Sequence, residues 1–145
     1  MRKVLGVVVA FVAMAVAVLA FSLAPWFLFG VDAVLEPGRF DGTPAYTAYA
    51  LVVGVLGGTC AGWLCAAISR SRPAVYVLAV LCACAGLTNH FSQHHKQEPG
   101  PRPAGVSVMD AVIQRKEPDW FTLLSPGLGV VGLILAGRVR LGRRH

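Results

Sequence analysis

The sequence predicts an all-α membrane protein: four transmembrane helices in an antiparallel bundle, with a short interfacial helix in the third loop. Three observations carry that prediction. Four long stretches hold no charge, basic residues collect at alternate ends of those stretches, and the longest loop contains one segment with helical periodicity.

Of 145 residues, 56% are hydrophobic and 14% are charged, a balance far from the roughly 25% charged of ordinary soluble domains. Residues 4–31, 42–69, 73–89 and 120–137 carry no charge, giving stretches of 28, 28, 17 and 18 residues. At about 1.5 Å per residue the shorter two extend roughly 25 to 27 Å, close to the hydrocarbon thickness of a bilayer. The run VLGVVVAFVAMAVAVLAF is apolar on every face, whereas a helix at the surface of a soluble core keeps a polar side. We therefore place spans at about residues 4–29, 44–69, 73–90 and 120–137, within a single integral membrane domain of residues 1–145.

The first span has a rival reading as a secretory signal, with Met1-Arg2-Lys3 as its basic start and Ser22-Leu23-Ala24 as its cleavage site. The apolar run is too long for a signal core, and Pro25 would follow the cut, so the segment is expected to stay.

Orientation follows from charge. Arg2, Lys3, Arg70, Arg72, Arg138, Arg140, Arg143 and Arg144 occupy the ends and the second loop, with no acid among them. Every acid, Asp32, Glu36, Asp41, Glu98, Asp110, Glu117 and Asp119, lies in the first or third loop beside Arg39, Lys96, Arg102, Arg115 and Lys116. Lys and Arg are retained on the cytoplasmic side during insertion. Both termini are thus expected in the cytoplasm, with loops 30–43 and 91–119 outside a bacterial inner membrane. An even number of spans agrees with that. The net charge of +6 is accounted for by span flanks, and no nucleic-acid partner is expected. The Ala, Val, Gly and Arg bias is the composition expected of a GC-rich bacterium.

Trp26, Tyr46, Tyr49 and Trp120 are expected as an outer aromatic belt and Tyr76 as part of an inner one. Pro25 and Pro126 are expected to bend their spans. Pro44 suits the first turn of the second span, and Arg70-Ser71-Arg72 leaves room only for a tight hairpin into the third. In the third loop EPGPRPAG cannot continue a helix. Ser107 and Asp110 then have capping-box spacing, and Met109, Val112 and Ile113 share one face, so residues 107–116 are read as a surface helix with that face toward lipid or the bundle.

Ala50, Gly54, Gly58, Gly62 and Ala66 recur every four residues along the second span. Such a ridge lets another backbone approach closely and gain dispersion contact, the force that associates helices in lipid. Its partner is expected to be another span, a membrane protein partner or a second copy of the chain.

His90, His94 and His95 are the candidate metal ligands. His90 and His94 share a helix face if the third span continues beyond Asn89, and Glu98, Asp110 or water would complete a labile zinc, nickel or copper site. The alternative is that three imidazoles simply mark the wet end of a helix. Cys60, Cys65, Cys82 and Cys84 all fall within spans, without the accessible CxxC of a thiol oxidoreductase, and are read as packing residues. The spans lack the charged residue an ion-coupled transporter needs. No GxSxG, HExxH or phosphate loop occurs, and GVLGGTCAG follows no strand. No catalytic residue and no cofactor are expected.

The function expected from these features is that of an accessory or interaction protein of the cytoplasmic membrane. Two alternatives stand beside it: a metal-handling protein using the histidine cluster, and a membrane-embedded enzyme acting on lipid or quinone at the outer leaflet through His90, His94, Asp110 and Asp119.

Overall fold

A computed structural model describes residues 1–96 and 99–142. Among the described residues the fold is all-helical, with 79% of them in helix and no strands. In order the elements are α1 (Arg2–Leu28), α2 (Val31–Val34), α3 (Pro44–Ser69), α4 (Arg72–His94), α5 (Val108–Gln114) and α6 (Asp119–Gly142). The four long helices, α1, α3, α4 and α6, have the length and apolar composition to cross a membrane.

Local chemistry sets their ends. At the start of α3 the Thr43 side chain accepts a hydrogen bond from the Tyr46 amide at 3.3 Å, and Pro44 follows where a missing amide costs nothing. Helix α3 stops at Arg70, whose φ of 51° is the left-handed conformation that reverses the chain within two residues. Helices α1 and α6 both run through their prolines, Pro25 and Pro126. Helix α4 continues to His94, one turn past the expected end at residue 90. Its polar last turn stays helical because it lies along α6, where His90 Nδ1 meets Thr122 Oγ1 at 2.7 Å.

The closest pairing of helices is α3 with α6. A methyl group added to Gly58 would strike the carbonyl of Gly129, one added to Gly62 would strike the carbonyl of Leu133, and one on Gly54 would lie 2.9 Å from Ser125 Oγ. These positions advance together, so α3 and α6 run side by side in the same sense. The glycine face of the expected ridge is thus occupied by α6 of the same chain. Of the ridge's two alanines, Ala66 is buried in the inner core and Ala50 packs beside the outer one. Gly86 of α4 meets Pro126, and Val75 of α4 meets Gly137, so α4 runs against α6.

Two cores result. The one nearer the chain termini, called inner, joins all four long helices through Val7, Ala10, Ala61, Cys65, Leu78 and Leu133, among others. The outer one consists of Trp26, Val34, Leu35, Phe40, Tyr46 and Ala111, and so joins α1 and α3 to the loops without α4. It exists because the two outer loops interlock, which the sequence reading did not anticipate. The Lys116 amide donates to Phe40 O at 3.2 Å and the Arg102 amide to Gly38 O at 2.9 Å, while Arg102 also reaches Asp32 at 2.8 Å.

The surface helix forms as α5, with Ser107 accepting from the Asp110 amide at 3.2 Å. Its inward residue is Ala111, fully buried, with Val108 and Val112 packed beside the same core, whereas Met109 and Ile113 face outward. Ala111 is the residue turned to the core because a small side chain is what lets α5 sit tightly against Trp26 and Tyr46. Large apolar side chains along all four long helices point away from the cores, as Val8, Val12, Val16 and Leu19 do on α1.

Candidate functional site

The outer core closes around one phenol. Tyr46 Oη accepts from Trp26 Nε1 at 3.1 Å and from Arg115 NH1 at 2.7 Å, and donates to Ser22 O at 3.0 Å. A phenolic hydroxyl has one proton to give and two lone pairs to receive, so its capacity is filled. The Trp26 ring stands edge-on to Tyr46, with centroids 5.7 Å apart. Trp26 is 1% exposed and Tyr46 5%. Both belong to the core beneath the cap instead of the expected aromatic belt; Trp120, by contrast, is exposed.

The Arg115 guanidinium also lies over the Tyr46 ring, 4.8 Å from its centroid, and pairs with the Glu117 carboxylate. Only 15% of the Arg115 side chain and 17% of the Glu117 side chain reach solvent. Burial pushes Arg115 below the usual guanidinium value, and the adjacent Tyr46 oxygen opposes that shift. The pair is placed by the local chain path: α5 ends at Gln114, Arg115 turns into extended backbone with ψ of 131°, and Pro118 precedes α6.

Beneath this pair lies a cavity of about 300 Å³. Every long helix contributes to its wall: Ser22 from α1, Tyr46 from α3, Asn89 from α4 and Ser125 from α6 are its polar lining below Arg115 and Glu117, and Met14, Cys82 and Leu133 form its apolar depth. Cys82 Sγ lies 4.0 Å from Met14 Sδ. The cavity exists because the outer core holds α1 and α3 to the cap, while the outer part of α4 is held by α6. Asn89 lines this space and is nevertheless exposed, so the cavity is open beside α4.

The histidines stand on the last turns of α4 and at its C-cap. Thr122 donates its only hydroxyl proton to Asp119 O at 2.8 Å, so His90 Nδ1 must be the donor in its 2.7 Å contact with Thr122. His95 Nδ1 donates to Phe91 O at 2.8 Å. The rings of His90 and His94 are stacked, with centroids 6.1 Å apart and planes inclined by 22°. Lone pairs of stacked rings lie in nearly parallel planes and do not converge on one ion. His94 Nδ1 is 3.8 Å from Asp119 Oδ1. Among the described residues no group of three or more His, Cys, Asp or Glu side chains is arranged to hold a metal. Asp110, a candidate fourth ligand, is engaged by Ser107 at 2.7 Å; Glu98, the other, lies outside the described residues, as do Arg143 and Arg144.

At the opposite end, Arg138 donates to Tyr76 Oη at 3.0 and 2.6 Å, and Arg140 lies over the Trp63 ring at 4.6 Å. The outer face also carries a groove of about 930 Å³ between the two loops and the start of α6, with Glu36, Asp41, Glu117 and Asp119 set against Arg39 and Lys116.

Sequence reasoning missed the Tyr46, Arg115 and Glu117 cluster because no local pattern links residues 69 positions apart. No family model, no curated protein and no solved structure matches this chain.

Proposed function

We propose that this chain is an integral protein of a bacterial cytoplasmic membrane whose four long helices cross alternately, with both termini in the cytoplasm and residues 30–43 and 91–119 outside. Its outward-facing Val, Leu and Phe side chains suit hydrocarbon as solvent, since an apolar surface of that extent would associate in water. Arg138 and Arg140 suit the inner boundary, where their stems stay in lipid and their heads pair with aromatic rings.

Within that setting the protein acts as an accessory protein, holding a partner membrane protein by its outer cap. The observation that carries this reading is the groove between the interlocked loops, where Glu36, Asp41 and Asp119 stand against Arg39 and Lys116, Glu117 in the same wall being neutralised by Arg115. Loops that only connected spans would not need a core of their own; these bury Leu35, Phe40 and Ala111 to hold a shaped, net acidic surface. The partner it fits presents a basic extracytoplasmic segment.

A photocrosslinking residue in place of Ala48, which lines the groove, tests this in living cells. A single adduct mapping to a basic loop of another membrane protein, lost in a Glu36→Lys, Asp119→Lys variant and restored by reversing the charge of that loop, is the expected result. An adduct to lipid, an adduct to a second copy of the chain, or insensitivity to charge reversal overturns it. Reporter fusions after Gly142 and at Ala104 test the orientation: activity of a cytoplasmic reporter at Ala104 would refute it.

A further inference from the structure

We infer that the cavity below Arg115 and Glu117 is a binding site for the head of a membrane-borne quinone. This inference rests on the membrane reading of the four long helices and is independent of the docking role of the cap.

The space is lined by all four long helices, open beside α4, and graded in polarity. Its outer end holds the Arg115–Glu117 pair with Ser22, Tyr46 and Asn89, and its depth is lined by Met14, Cys82 and Leu133. A ligand must match both parts, with hydrogen-bond acceptors at one end and a body that tolerates thioether and thiol neighbours at the other. Sulfur packs favourably against the edges of flat unsaturated rings, and Phe121 in the same wall offers such a ring a face.

Charge decides between head groups. Arg115 is already neutralised by Glu117, and both are largely withdrawn from solvent. A phosphate head would place a second anion beside Glu117 with one cation between them, an arrangement that burial makes costly. A neutral carbonyl head needs no such charge. Ser22, Asn89 and Ser125 are uncharged and can donate to it.

Size and access agree. A volume of about 300 Å³ lies at the small end of ligand sites, enough for one ring and not for the body of a two-chain phospholipid. Entry is lateral, beside the exposed Asn89, where the outer core leaves α4 free of α1. A hydrocarbon tail can remain in the bilayer while the ring occupies the cavity.

The test uses the full chain in phosphatidylcholine nanodiscs, carrying Trp63→Phe and Trp120→Phe so that Trp26 is the sole tryptophan and can be excited selectively. Trp26 is bonded to the cavity-lining Tyr46, so a bound quinone quenches it. Titration with a decyl-tailed benzoquinone should give saturable quenching, weakened about tenfold by Asn89→Leu, which removes a donor, and by Ala50→Leu, which fills the space. Asn89 is exposed, so its variant keeps the fold, and unchanged helicity by circular dichroism verifies this for both. Quenching that rises without saturation, that both variants leave unchanged, or that phosphatidylglycerol or decanol reverses at equal concentration overturns the assignment. Loss of the partner adduct without loss of quenching would refute the docking role alone, and the converse would refute this site alone.

Discussion

The hydroxyl of Tyr46 lies 2.7 Å from the guanidinium of Arg115, 69 residues further along the chain. That contact ties the start of α3 to the last segment before α6 and closes the outer end of the bundle over its cavity.

Removing the shared oxygen should loosen the whole cap. Tyr46→Phe leaves the Trp26 indole N–H and Arg115 NH1 without their acceptor, each in a largely dry place, while Arg115 keeps its pairing with Glu117. The expected cost is about 2 to 3 kcal/mol, seen as a lower midpoint in detergent unfolding followed by Trp26 emission. Cleavage of the 99–106 segment by protease should accelerate. Unchanged emission and cleavage would mean that the outer core does not depend on this bond.

The Arg115 and Glu117 pair should behave non-additively. Glu117→Gln strands a buried cation and should cost roughly 2 to 3 kcal/mol, below the full penalty for a dry pair because both side chains keep some solvent contact. Arg115→Met together with Glu117→Met should cost less than Glu117→Gln alone, since neither charge then needs compensation. A double change costing the sum of the two single ones, measured by the same unfolding, would contradict the pairing.

Along α3 the glycines should differ according to what faces them. Gly58→Ala forces its new methyl into the Gly129 carbonyl, and the backbones of α3 and α6 must separate, at an expected 1 to 3 kcal/mol on the order of overpacking costs. Gly127→Ala meets nothing within 4 Å and should be neutral, or stabilise α6 by up to about 1 kcal/mol through helix propensity. Equal effects at the two positions would deny the close approach of α3 and α6.

The turn after α3 offers a gain. Arg70 has a positive φ of 51°, a conformation that costs a side chain with a Cβ about 1 kcal/mol and costs glycine little. Arg70→Gly should raise the unfolding midpoint accordingly. A lower midpoint would show that the guanidinium contributes more to stability than the backbone strain takes away.

At the outer end of α4, His90 should carry its proton on Nδ1, because Thr122 has spent its own on Asp119. Nitrogen-15 spectra of the neutral imidazole should show the Nδ1–H form, shifting toward the common Nε2–H form in Thr122→Val. An Nε2–H signal in the unchanged protein would reverse the direction assigned to this bond.

Four apolar stretches, the hairpin at residue 70 and the cap at Ser107 were legible because each is a local property. Charge-free length, a three-residue connection and Ser-to-amide spacing all act within a short stretch of chain. The candidate site was legible only in fragments. His90 and His94 do share a helix face, yet the direction of their rings is set by Thr122 and Asp119 on another helix. Trp26 and Tyr46 have belt composition, and the arrival of α5 turns them into core.

The order of residues alone thus determined that four long apolar helices form and that their flanks are polar, since the hydrogen bonds of a helix are made within its own segment. It did not determine which helices would be neighbours, where they would part to leave a cavity, or that Arg115 would come to rest on Tyr46. Those were decided by tertiary packing: the fit of Gly58 and Gly62 against α6, and of Ala111 against the outer core. Shape complementarity between distant segments is a property of pairs, and no single stretch of the chain contains it.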